Sequence, residues 1–408
     1  MKLNNKNLNL LIIGHVWPQP NATAAGEHIM HLLDFFKRLN YKILFVSAAQ
    51  LPNNYSYLDD IQTKGIKLND DEFDQLLTNF NPNVVLFDRF MTEEQFSWRI
   101  YKNCPNAIRI LDTEDLHFLR NQRLEILKKG MSENLSDIAK RELASIYRSD
   151  LSLIISQKEI QLLTTDYSIP STLLEYIPLL NYNKIKSSPI PFSKRKNLIF
   201  VGNFLHEPNW NCVQYLKNEI WPELSKLLPD VILNIYGSHA SEKHLQLSNA
   251  KERFLVHGYV EDIEAQLVQS KLLIAPIQFG AGQKGKLLKA MQCQLPSITT
   301  PTGAEGMLFN NKWGGSIATD AEDIISQTIR LYTNENLWND AQSLCSKIIN
   351  RHFDFETHFS VFKKTLEQLQ KNIHKHRMEN VTGQILWHHN LRSTEFMSRW
   401  ITEKNKYS

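Results

Sequence analysis

Cysteine is scarce in this sequence and is not arranged to form disulfides or to hold a metal ion. Four cysteines are spread over 408 residues, none of them in a CxxC pair: Cys104, Cys212, Cys293 and Cys345. Structural zinc sites need closely spaced Cys and His ligands, and disulfide-rich secreted domains need many more cysteines. We therefore expect a reduced, cytoplasmic protein without a metal site.

Long apolar runs are missing as well. The longest, Leu8 to Val16, is interrupted by Asn9 and His15 and is shorter than the roughly 20 residues that a membrane-spanning helix needs. Only Lys2 and Lys6 give positive charge before it, and no small-residue cleavage site follows. Neither a transmembrane helix nor a signal peptide is predicted.

No charge of one sign dominates. The chain has 46 Lys and Arg against 43 Asp and Glu, a net charge of +3, and 42% hydrophobic residues. A nucleic-acid-binding surface usually needs a much stronger positive charge, and a disordered chain has much less apolar sequence. The composition fits a globular protein of two or three domains that has no nucleic acid as a partner.

The sequence does contain one pattern that occurs twice, in which buried strands alternate with amphipathic helices. In the first half, a strand at Leu10 to Gly14 precedes a helix at Gly26 to Leu39, and Lys42 to Ser47 is again a strand. Asn197 to Gly202 restarts the pattern after a polar, basic stretch that contains proline. The alternation predicts the α/β class, with two tandem Rossmann-like domains.

These patterns predict a domain organisation with five parts. They are an amino-terminal domain at 1–185, a linker at 186–196, a carboxyl-terminal domain at 197–352, a helix at 353–370 that could return to the amino-terminal domain, and a polar tail at 371–408. The tail is expected to be a solvated extension whose aromatic and histidine side chains could touch a partner or a membrane: Trp387, His388 and His389. Two finer expectations are a capping box formed by Thr92 and Gln95 and a single long helix from Pro208 to Leu227.

The segment from Phe279 to Met307 carries the most chemical information. It follows a predicted strand that ends at Ile277, and a glycine-rich turn leads into a helix that begins near Gln283. Glycines let the backbone approach a ligand closely, and the free amides of a helix N-terminus favour a phosphate anion. Lys284 and Lys286 add positive charge where the helix dipole disfavours it, so the pattern favours an anion site. The alternative is a solvated, Lys-rich helix start.

Two common phosphate-binding motifs nearly match this turn. Gly280, Gly282 and Gly285 satisfy GxGxxG, with Glu305 about twenty residues later, as in dinucleotide sites. Too few strands follow the turn to build the sheet of such a site. The P-loop pattern fails because Leu287 replaces its Ser or Thr. Neither motif is predicted to operate here.

The turn and the stretch LPSITTPTGAEGM after it resemble the donor-site signature of GT-B glycosyltransferases, particularly the retaining enzymes of glycosyltransferase family 4. The amino-terminal half is similar to one bacterial branch of that family through VWPQPNATAAGEHIMHLLDFF, FDRFMTEEQFSWR and LDTEDLHFLR. The resemblance covers about residues 8 to 370. It implies two Rossmann-like domains with a cleft between them. It also implies a nucleoside-diphosphate-sugar donor bound mainly by the carboxyl-terminal domain, without a metal or other cofactor, and an acceptor held by the amino-terminal domain.

The resemblance also implies roles for individual residues. The leaving-group phosphates would face the glycine turn and the first strand-end loop of the carboxyl-terminal domain: Gly280, Ala281, Gly282, Gln283, Lys284, Lys286, Gly202 and Asn203. The base would lie beside Gly258, Tyr259 and Val260. Lys289 and Glu305 complete the candidate donor residues.

The sequence departs from family 4 where the family binds ribose. The helix after the turn commonly reads LEAM in the family, and its Glu is the second of a Glu-x7-Glu pair that receives the ribose hydroxyls. Here Lys289 replaces that Glu and Ala281 replaces the first one. A Lys ammonium cannot accept hydrogen bonds, so donor recognition must be rearranged or lost. Asn203 stands where an Arg is common, which leaves more of the phosphate charge to Lys284 and Lys286.

Acidic and histidine side chains crowd the segment after another predicted strand in the amino-terminal half. His117 matches the histidine that family members place near the transferred sugar, and His117 and Asp115 are the candidate catalytic residues. Alternatively, His117 begins a helix that Asp115 caps. Asp88 and Arg89 end a further strand at the same rim. Gly26 either approaches the donor phosphates or the acceptor, or allows close helix packing.

We therefore expect a cytoplasmic glycosyltransferase that moves a sugar from a nucleoside-diphosphate donor to a glycan, lipid-linked or small acceptor, with retention of configuration. Catalysis would consist chiefly of positioning and of stabilising the leaving diphosphate. Peripheral association with the inner face of a membrane and the oligomeric state are left open. Two alternatives remain: a catalytically silent nucleotide-sugar-binding relative, which the missing carboxylates favour, and a nucleotide-sugar epimerase.

Overall fold

Two parallel β-sheets, one in each half of the chain, organise the computed structural model of this protein. The structure describes residues 8–51, 56–133, 135–182, 185 and 190–406. Part of the predicted linker, 186–189, and the end of the predicted tail, 407–408, lie outside the described residues. Within the described ranges, no helix combines the length and the apolar character that a membrane crossing requires.

The first sheet has seven strands. They are β1 (Leu8–Gly14), β2 (Tyr41–Ser47), β3 (Gln62–Gly65), β4 (Val84–Asp88), β5 (Ile108–Asp112), β6 (Leu151–Ile154) and β7 (Leu174–Tyr176). Their order is β3-β2-β1-β4-β5-β6-β7, and every neighbouring pair is parallel. The helices of this half are α1 (Ala24–Arg38), α2 (Glu72–Phe80), α3 (Phe90–Asn103), α4 (His117–Lys129), α5 (Asp137–Arg148) and α6 (Gln157–Thr165).

The second sheet has six strands. They are β8 (Lys196–Val201), β9 (Leu233–Tyr236), β10 (Phe254–Gly258), β11 (Ser270–Ala275), β12 (Ser297–Thr299) and β13 (Gly315–Ile317), in the order β10-β9-β8-β11-β12-β13. The helices are α7 (Glu207–Tyr215), α8 (Trp221–Leu227), α9 (Glu242–Leu245), α10 (Ile263–Gln269), α11 (Gly285–Gln292), α12 (Pro301–Ala304), α13 (Ala321–Thr333) and α14 (Glu335–His352). The two sheets confirm the predicted α/β fold with two Rossmann-like units.

The apolar runs of the sequence form the central strands because both faces of each sheet are covered. In β1, Leu10, Leu11, Ile12 and Ile13 have no solvent exposure. Leu11 and Ile13 belong to one buried cluster, and Leu10 and Ile12 belong to another on the opposite face. A strand covered on both faces needs apolar residues at consecutive positions, and burying each such side chain contributes about 1.5–3 kcal/mol.

The chain returns to the first sheet through α15 (Phe355–Glu379) and α16 (Val381–Lys406). Phe355 and Phe362 of α15 are fully buried beside Phe35 and Phe36 of α1. The two segments that cross between the domains lie side by side, because the Asn181 amide donates to the Phe353 carbonyl at 2.7 Å and the Phe355 amide donates to the Asn181 carbonyl at 3.0 Å. The end of the chain therefore contributes to the core of the amino-terminal domain.

The expectation of a solvated tail is wrong. Helix α16 packs on α3 and α5, and Trp387 is only 6% exposed. Its indole Nε1 donates to the Arg148 carbonyl at 2.9 Å, and the Arg109 guanidinium lies 3.9 Å from the ring centre. A large aromatic side chain with a satisfied polar atom is sufficient to anchor the helix, although the surrounding sequence is polar.

Of the two finer expectations, the capping box is wrong, and the long helix is confirmed with one local irregularity. Helix α3 begins at Phe90, upstream of the supposed capping box, and the Thr92 hydroxyl donates to the Asp88 carbonyl at 3.0 Å instead of capping the helix. The helix expected from Pro208 to Leu227 contains a π-helical segment, Leu216–Ile220, between α7 and α8. Pro222 follows that segment in the first turn of α8, and a proline cannot donate the backbone hydrogen bond that a continuous helix requires.

Candidate active site

Each sheet has one point where the strand order reverses, and the loops at these two points lie against each other. The point is between β1 and β4 in the first sheet and between β8 and β11 in the second. In open parallel sheets, ligands bind beyond the carboxyl ends of the strands at such a point. The glycine turn, residues 279–285, follows β11, so it occupies this position in the carboxyl-terminal domain.

The glycine turn faces the other domain and not bulk solvent. Gly280 and Gly282 have φ angles of 153° and 62°, which side chains with a Cβ rarely adopt. A Cβ on Gly282 would lie 2.8 Å from Ile155 Cδ1 and 2.9 Å from Asp115 Cβ, and one on Gly285 would clash with Ala24 Cβ. Ala281 is 5% exposed and belongs to a buried cluster of the amino-terminal domain.

Lys284 of the turn and Lys286 at the start of α11 are half-buried, and both contact oxygens of the protein itself. Lys284 Nζ donates to the carbonyls of Ala281 and Gly282, at 2.9 and 2.6 Å. Burial lowers the pKa of Lys284 to about 8. Lys286 Nζ donates to Asn209 Oδ1 and lies 5.2 Å from the centre of the Phe200 ring. The alternative of a solvated, Lys-rich helix start is therefore wrong. Helix α11 begins at Gly285, two residues after the predicted start.

Asn209 joins the turn to the loop after β8. Its Nδ2 donates to the Asn203 carbonyl at 2.8 Å, while its Oδ1 accepts from Lys286. A Cβ on Gly202 would lie 2.7 Å from Asn209 Cγ, so glycine is required there for close approach. The structure thus brings together the predicted residues Gly202, Asn203 and Lys286.

Gln283 connects the turn to the amino-terminal domain. Its Oε1 accepts from the Leu179 amide at 3.0 Å, and its Nε2 donates to the Tyr176 hydroxyl at 3.2 Å and to the Gly306 carbonyl at 2.9 Å. The side chain is 6% exposed. Both polar ends of Gln283 are therefore occupied by groups of the protein.

Glu305 is also occupied, and its partner comes from the opposite domain. Arg123 of α4 donates to both carboxylate oxygens, at 2.8 and 3.1 Å, and to the Gly280 carbonyl at 2.7 Å. The Arg123 and Glu305 side chains are 27% and 23% exposed. This ion pair fixes the first glycine of the turn to the amino-terminal domain.

Lys289 forms a second ionic connection between the domains. Its Nζ lies 2.9 Å from Glu264 Oε1 of α10 and 3.7 Å from Glu27 Oε1 of α1. The position that carries a carboxylate in family 4 therefore carries a cation here, with carboxylates placed opposite it. The charge at position 289 is opposite in sign to the charge in family 4, and Glu264 and Glu27 balance it.

His117 and Asp115 lie on the amino-terminal side, close to the glycine turn. His117 Nε2 is 3.7 Å from Asp115 Oδ1, and Asp115 accepts a hydrogen bond from Arg120. Burial lowers the pKa of His117 to about 4, so its ring is neutral at neutral pH. Burial alone would raise the pKa of Asp115, but Arg120 and His117 hold it below its ordinary value.

The expected capping role of Asp115 is wrong, because two buried glutamates from neighbouring helices satisfy the amides at the start of α4. Glu142 accepts from the amides of His117 and Phe118, at 3.1 and 2.9 Å. Glu159 accepts from the Leu116 amide at 3.1 Å and also from the Gly282 amide of the turn at 2.8 Å. Burial raises the pKa of each of these glutamates to about 8.

A second polar cluster lies at the ends of β4 and β5. Asp88 and Asp112 are paired across the two strands, and His28 Nε2 lies 3.5 Å from Asp112 Oδ1. Burial alone would lower the pKa of His28, but Asp112 and the neighbouring carboxylates raise it to about 9. Arg89 and Glu114, the residues beside the cluster, have positive φ angles of 72° and 61°. Such strained backbone is concentrated at functional sites.

The remaining candidates lie further from the turn or are explained by packing. A Cβ on Gly26 would lie 2.5 Å from the Gln19 carbonyl group, so the packing alternative accounts for this glycine. Gly258 ends β10 with a φ of 75°, and Tyr259 is 60% exposed. Together with Val260 they lie beyond β10, two strands away from β8.

Comparison with known proteins identifies the family of the carboxyl-terminal domain. Residues 195–334 match the model of the family described as Glycosyl transferases group 1. The sucrose-phosphate synthase of Thermosynechococcus elongatus has a similar structure, with a TM-score of 0.69 at 12% identity over 89% of this chain and 99% of that one. Residues 195–334 therefore form a glycosyl transferases group 1 domain, and the chain as a whole has the GT-B fold.

Two further solved structures with this fold contain a nucleotide and a sugar. One is HepE of Anabaena in complex with UDP and glucose, with a TM-score of 0.66 at 15% identity over 89% of this chain and 100% of that one. The other is the pneumococcal O-GlcNAc transferase GtfA in complex with UDP and GlcNAc, with a TM-score of 0.66 at 12% identity over 89% and 99%. A curated relative from Klebsiella pneumoniae, an uncharacterized 44.6 kDa protein in the cps region, is 24% identical over 68% of this chain and 74% of its own length.

Several residues of this candidate site were not predicted from the sequence. Arg120 and Arg123 had a usable signal, because they follow His117 at intervals of three residues and therefore lie on one side of α4. Glu142 and Glu159 had none, since each lies in an ordinary amphipathic helix. No group of three or more His, Cys, Asp or Glu side chains in the described part of the chain is arranged to hold a metal ion.

Proposed function

We propose that this protein is a glycosyltransferase that transfers a sugar from a nucleoside-diphosphate donor to an acceptor hydroxyl, with retention of configuration and without a metal ion. The observation that carries the proposal is the apposition of the two strand-order reversals, which places Gly285 after β11 against Ala24 after β1. HepE and GtfA were solved with UDP and a sugar. A uridine diphosphate sugar is therefore the donor to test first.

The donor diphosphate would bind at the glycine turn. Lys284 and Lys286 now donate to oxygens of the protein, and phosphate oxygens would replace those acceptors with stronger, charge-assisted hydrogen bonds. The amino end of α11 adds the positive end of a helix dipole. These groups would neutralise the negative charge that develops on the leaving diphosphate.

The acceptor would bind at the strand ends of the amino-terminal domain. Asp88 Oδ1 and Asp112 Oδ2 are buried and have no hydrogen-bond partner among the described residues. Carboxylate oxygens accept hydrogen bonds and cannot donate them when ionised, so sugar hydroxyls suit them. Neutral His117, beside Asp115, would contact the transferred sugar. An acceptor that is a glycan or carries a sugar on a lipid would fit this chemistry.

One observation favours a catalytically silent, nucleotide-sugar-binding protein as the second candidate. Lys289 is balanced by Glu264 and Glu27, so the carboxylate that family 4 offers to ribose has been replaced without leaving an unpaired charge. A donor could then bind without being held in the reactive geometry.

Release of nucleoside diphosphate distinguishes the two candidates. The purified protein would be incubated with a panel of nucleotide sugars, with and without sugar and lipid-linked acceptors, in buffer containing a chelator. Acceptor-dependent release that His117→Ala reduces at least about a hundredfold would support transfer, and NMR of the product would report its anomeric configuration. Donor binding without release for any acceptor would favour the silent protein. Failure of all donors to bind would reject both candidates.

A further inference from the structure

The outer side of α16 is exposed, although it is rich in apolar and aromatic residues. Val381, Ile385, Phe396 and Trp400 are 54% to 65% exposed. They are spaced at three or four residues, together with His389 and Arg392 between them, and this spacing places all six on one side of a helix. We call these six residues the outer face of α16.

The opposite side of the helix is held firmly, so the outer face is a rigid surface. Trp387 is anchored under Arg109, and Ser398 is 4% exposed. Near the carboxyl end, the Thr402 hydroxyl donates to the Asn69 carbonyl at 2.7 Å. The face spans 20 of the 26 residues of this helix, from Val381 to Trp400, which is about 30 Å.

We propose that the outer face of α16 binds the surface of an anionic lipid bilayer, with the helix lying parallel to the membrane. Basic residues outnumber acidic ones in α16, with Arg392, Arg399, Lys404 and Lys406 against Glu395 and Glu403. Helices that lie in a membrane interface combine Lys and Arg with exposed Trp, Phe and aliphatic side chains. Trp400 and Phe396 would enter the headgroup region, while Arg392 and Lys404 would reach lipid phosphates.

The composition of the face argues against a second copy of the chain as the occupant. In a twofold-symmetric pair of such helices running antiparallel, the centre of one face meets the centre of the other. That centre holds His389 and Arg392, so the pair would bury two like charges against each other, which is unfavourable. Insertion across the bilayer is not proposed, because α16 lacks the apolar length for it.

Vesicle sedimentation with the full-length protein tests the proposal. We expect binding to phosphatidylcholine vesicles that contain phosphatidylglycerol, and weak binding to phosphatidylcholine alone. The double variant Phe396→Gln/Trp400→Gln should lower the partition coefficient at least about tenfold. Arg392→Gln/Lys404→Gln should lower it about fivefold or more, and salt should weaken the binding of the wild type.

A matched control removes two exposed apolar side chains elsewhere. Leu227 and Leu245 of the carboxyl-terminal domain are 52% and 41% exposed, and Leu227→Gln/Leu245→Gln should bind vesicles as the wild type does. Because all the substituted side chains are exposed, each variant should keep the melting temperature of the wild type. The proposal does not depend on the donor or the acceptor, so it can be tested without an enzymatic assay.

Tryptophan fluorescence gives a second test, and its variant changes only an exposed side chain. Of the eight tryptophans, Trp400 is the exposed one, and the other seven are buried or half-buried. Vesicles with brominated acyl chains should quench part of the emission, and Trp400→Phe should abolish that quenching while it preserves sedimentation. Absence of binding to anionic vesicles, equal binding by Phe396→Gln/Trp400→Gln, or a dimer in ultracentrifugation that this variant dissociates would each overturn the proposal.

Discussion

Arg123 and Glu305 form an ion pair that joins the two domains at the glycine turn. The same guanidinium that contacts both oxygens of Glu305 also donates to the Gly280 carbonyl at 2.7 Å. One side chain of the amino-terminal domain therefore controls both the approach of the domains and the position of the first glycine. The ion pair is half-buried, so it is screened less by salt than a surface pair would be.

Replacing Arg123 should affect the donor site more than the overall stability. We expect Arg123→Ala to weaken donor binding about tenfold, because Gly280 and Glu305 lose the partner that positions them. Isothermal titration calorimetry would measure the affinity. Lys128→Ala is a matched control, since Lys128 of α4 also pairs with the other domain, at 2.7 Å from Glu207, but on the exposed surface. Equal donor affinities for Arg123→Ala and Lys128→Ala would refute the positioning role of Arg123.

Lys284 should make donor binding dependent on pH. Its pKa is about 8, and a bound diphosphate would favour the charged form, so binding takes up a proton above that pH. We expect donor affinity to fall as the pH rises from 8 to 10, and Lys284→Arg to remove most of this dependence. Lys284→Ala should weaken binding about tenfold to a hundredfold at pH 7. Lys226→Ala, which changes an exposed lysine of the same domain, should leave both the affinity and its pH profile unchanged.

Restoring a glutamate at position 289 should destabilise the protein. Lys289→Glu would place three carboxylates together, since Glu264 and Glu27 already face this position. We expect the free energy of unfolding to fall by roughly 1 kcal/mol in urea titrations, with recovery in Lys289→Glu/Glu264→Lys. Donor affinity measured in the double variant shows whether position 289 contacts ribose. A single variant as stable as the wild type would show that these charges do not interact.

Glu142 should make stability depend on pH. Its folded pKa of about 8 lies above the ordinary value of 4.5, so the folded state retains a proton that the unfolded state loses. The stabilisation is complete below about pH 4.5 and is lost as the pH rises towards 8, by roughly 1 to 3 kcal/mol. Urea titrations at pH 5 and pH 8 would measure it. Glu142→Gln cannot ionise, and it keeps an acceptor oxygen for one of the two amides, His117 and Phe118, that the two carboxyl oxygens bind. It should flatten this dependence, whereas an unchanged pH dependence would show that other groups cause it.

The two tryptophans of α16 should differ in their effect on stability. Trp387→Ala removes a side chain that is 6% exposed and should lower the free energy of unfolding by about 3 kcal/mol or more. Trp400→Ala changes a side chain that is 60% exposed and should stay within about 0.5 kcal/mol of the wild type. Similar values for both variants would mean that α16 does not contribute to the core.

The two-domain α/β fold could be predicted from the sequence because the central strands are covered on both faces. A run such as Leu10 to Ile13, followed by an amphipathic helix, indicates a strand that is covered on both faces, as in a parallel sheet between two layers of helices. Short strands at the sheet edges were not predicted. Gln62–Gly65 is mostly exposed and polar, and a strand with little to bury has little apolar pattern.

The glycine turn could be identified from the sequence, but the groups that it contacts could not be. Glycines at 280, 282 and 285 indicated a close backbone approach, and the approach that the structure shows is to Ile155, Asp115 and Ala24 of the other domain. Contacts between residues more than a hundred positions apart, such as Glu159 with Gly282, leave no local pattern. The tail was mistaken for the same reason, because a buried anchor such as Trp387 leaves no local pattern in a polar sequence.

The paired crossings at Asn181 and Phe353 restrict how the cleft can open. Hydrogen bonds join the two segments that connect the domains, so these segments form one hinge and not two independent linkers. Sliding of one domain past the other would break these hydrogen bonds, whereas rotation of the domains about them as a hinge would not. Opening of the cleft therefore requires a hinge motion whose axis passes through these few residues.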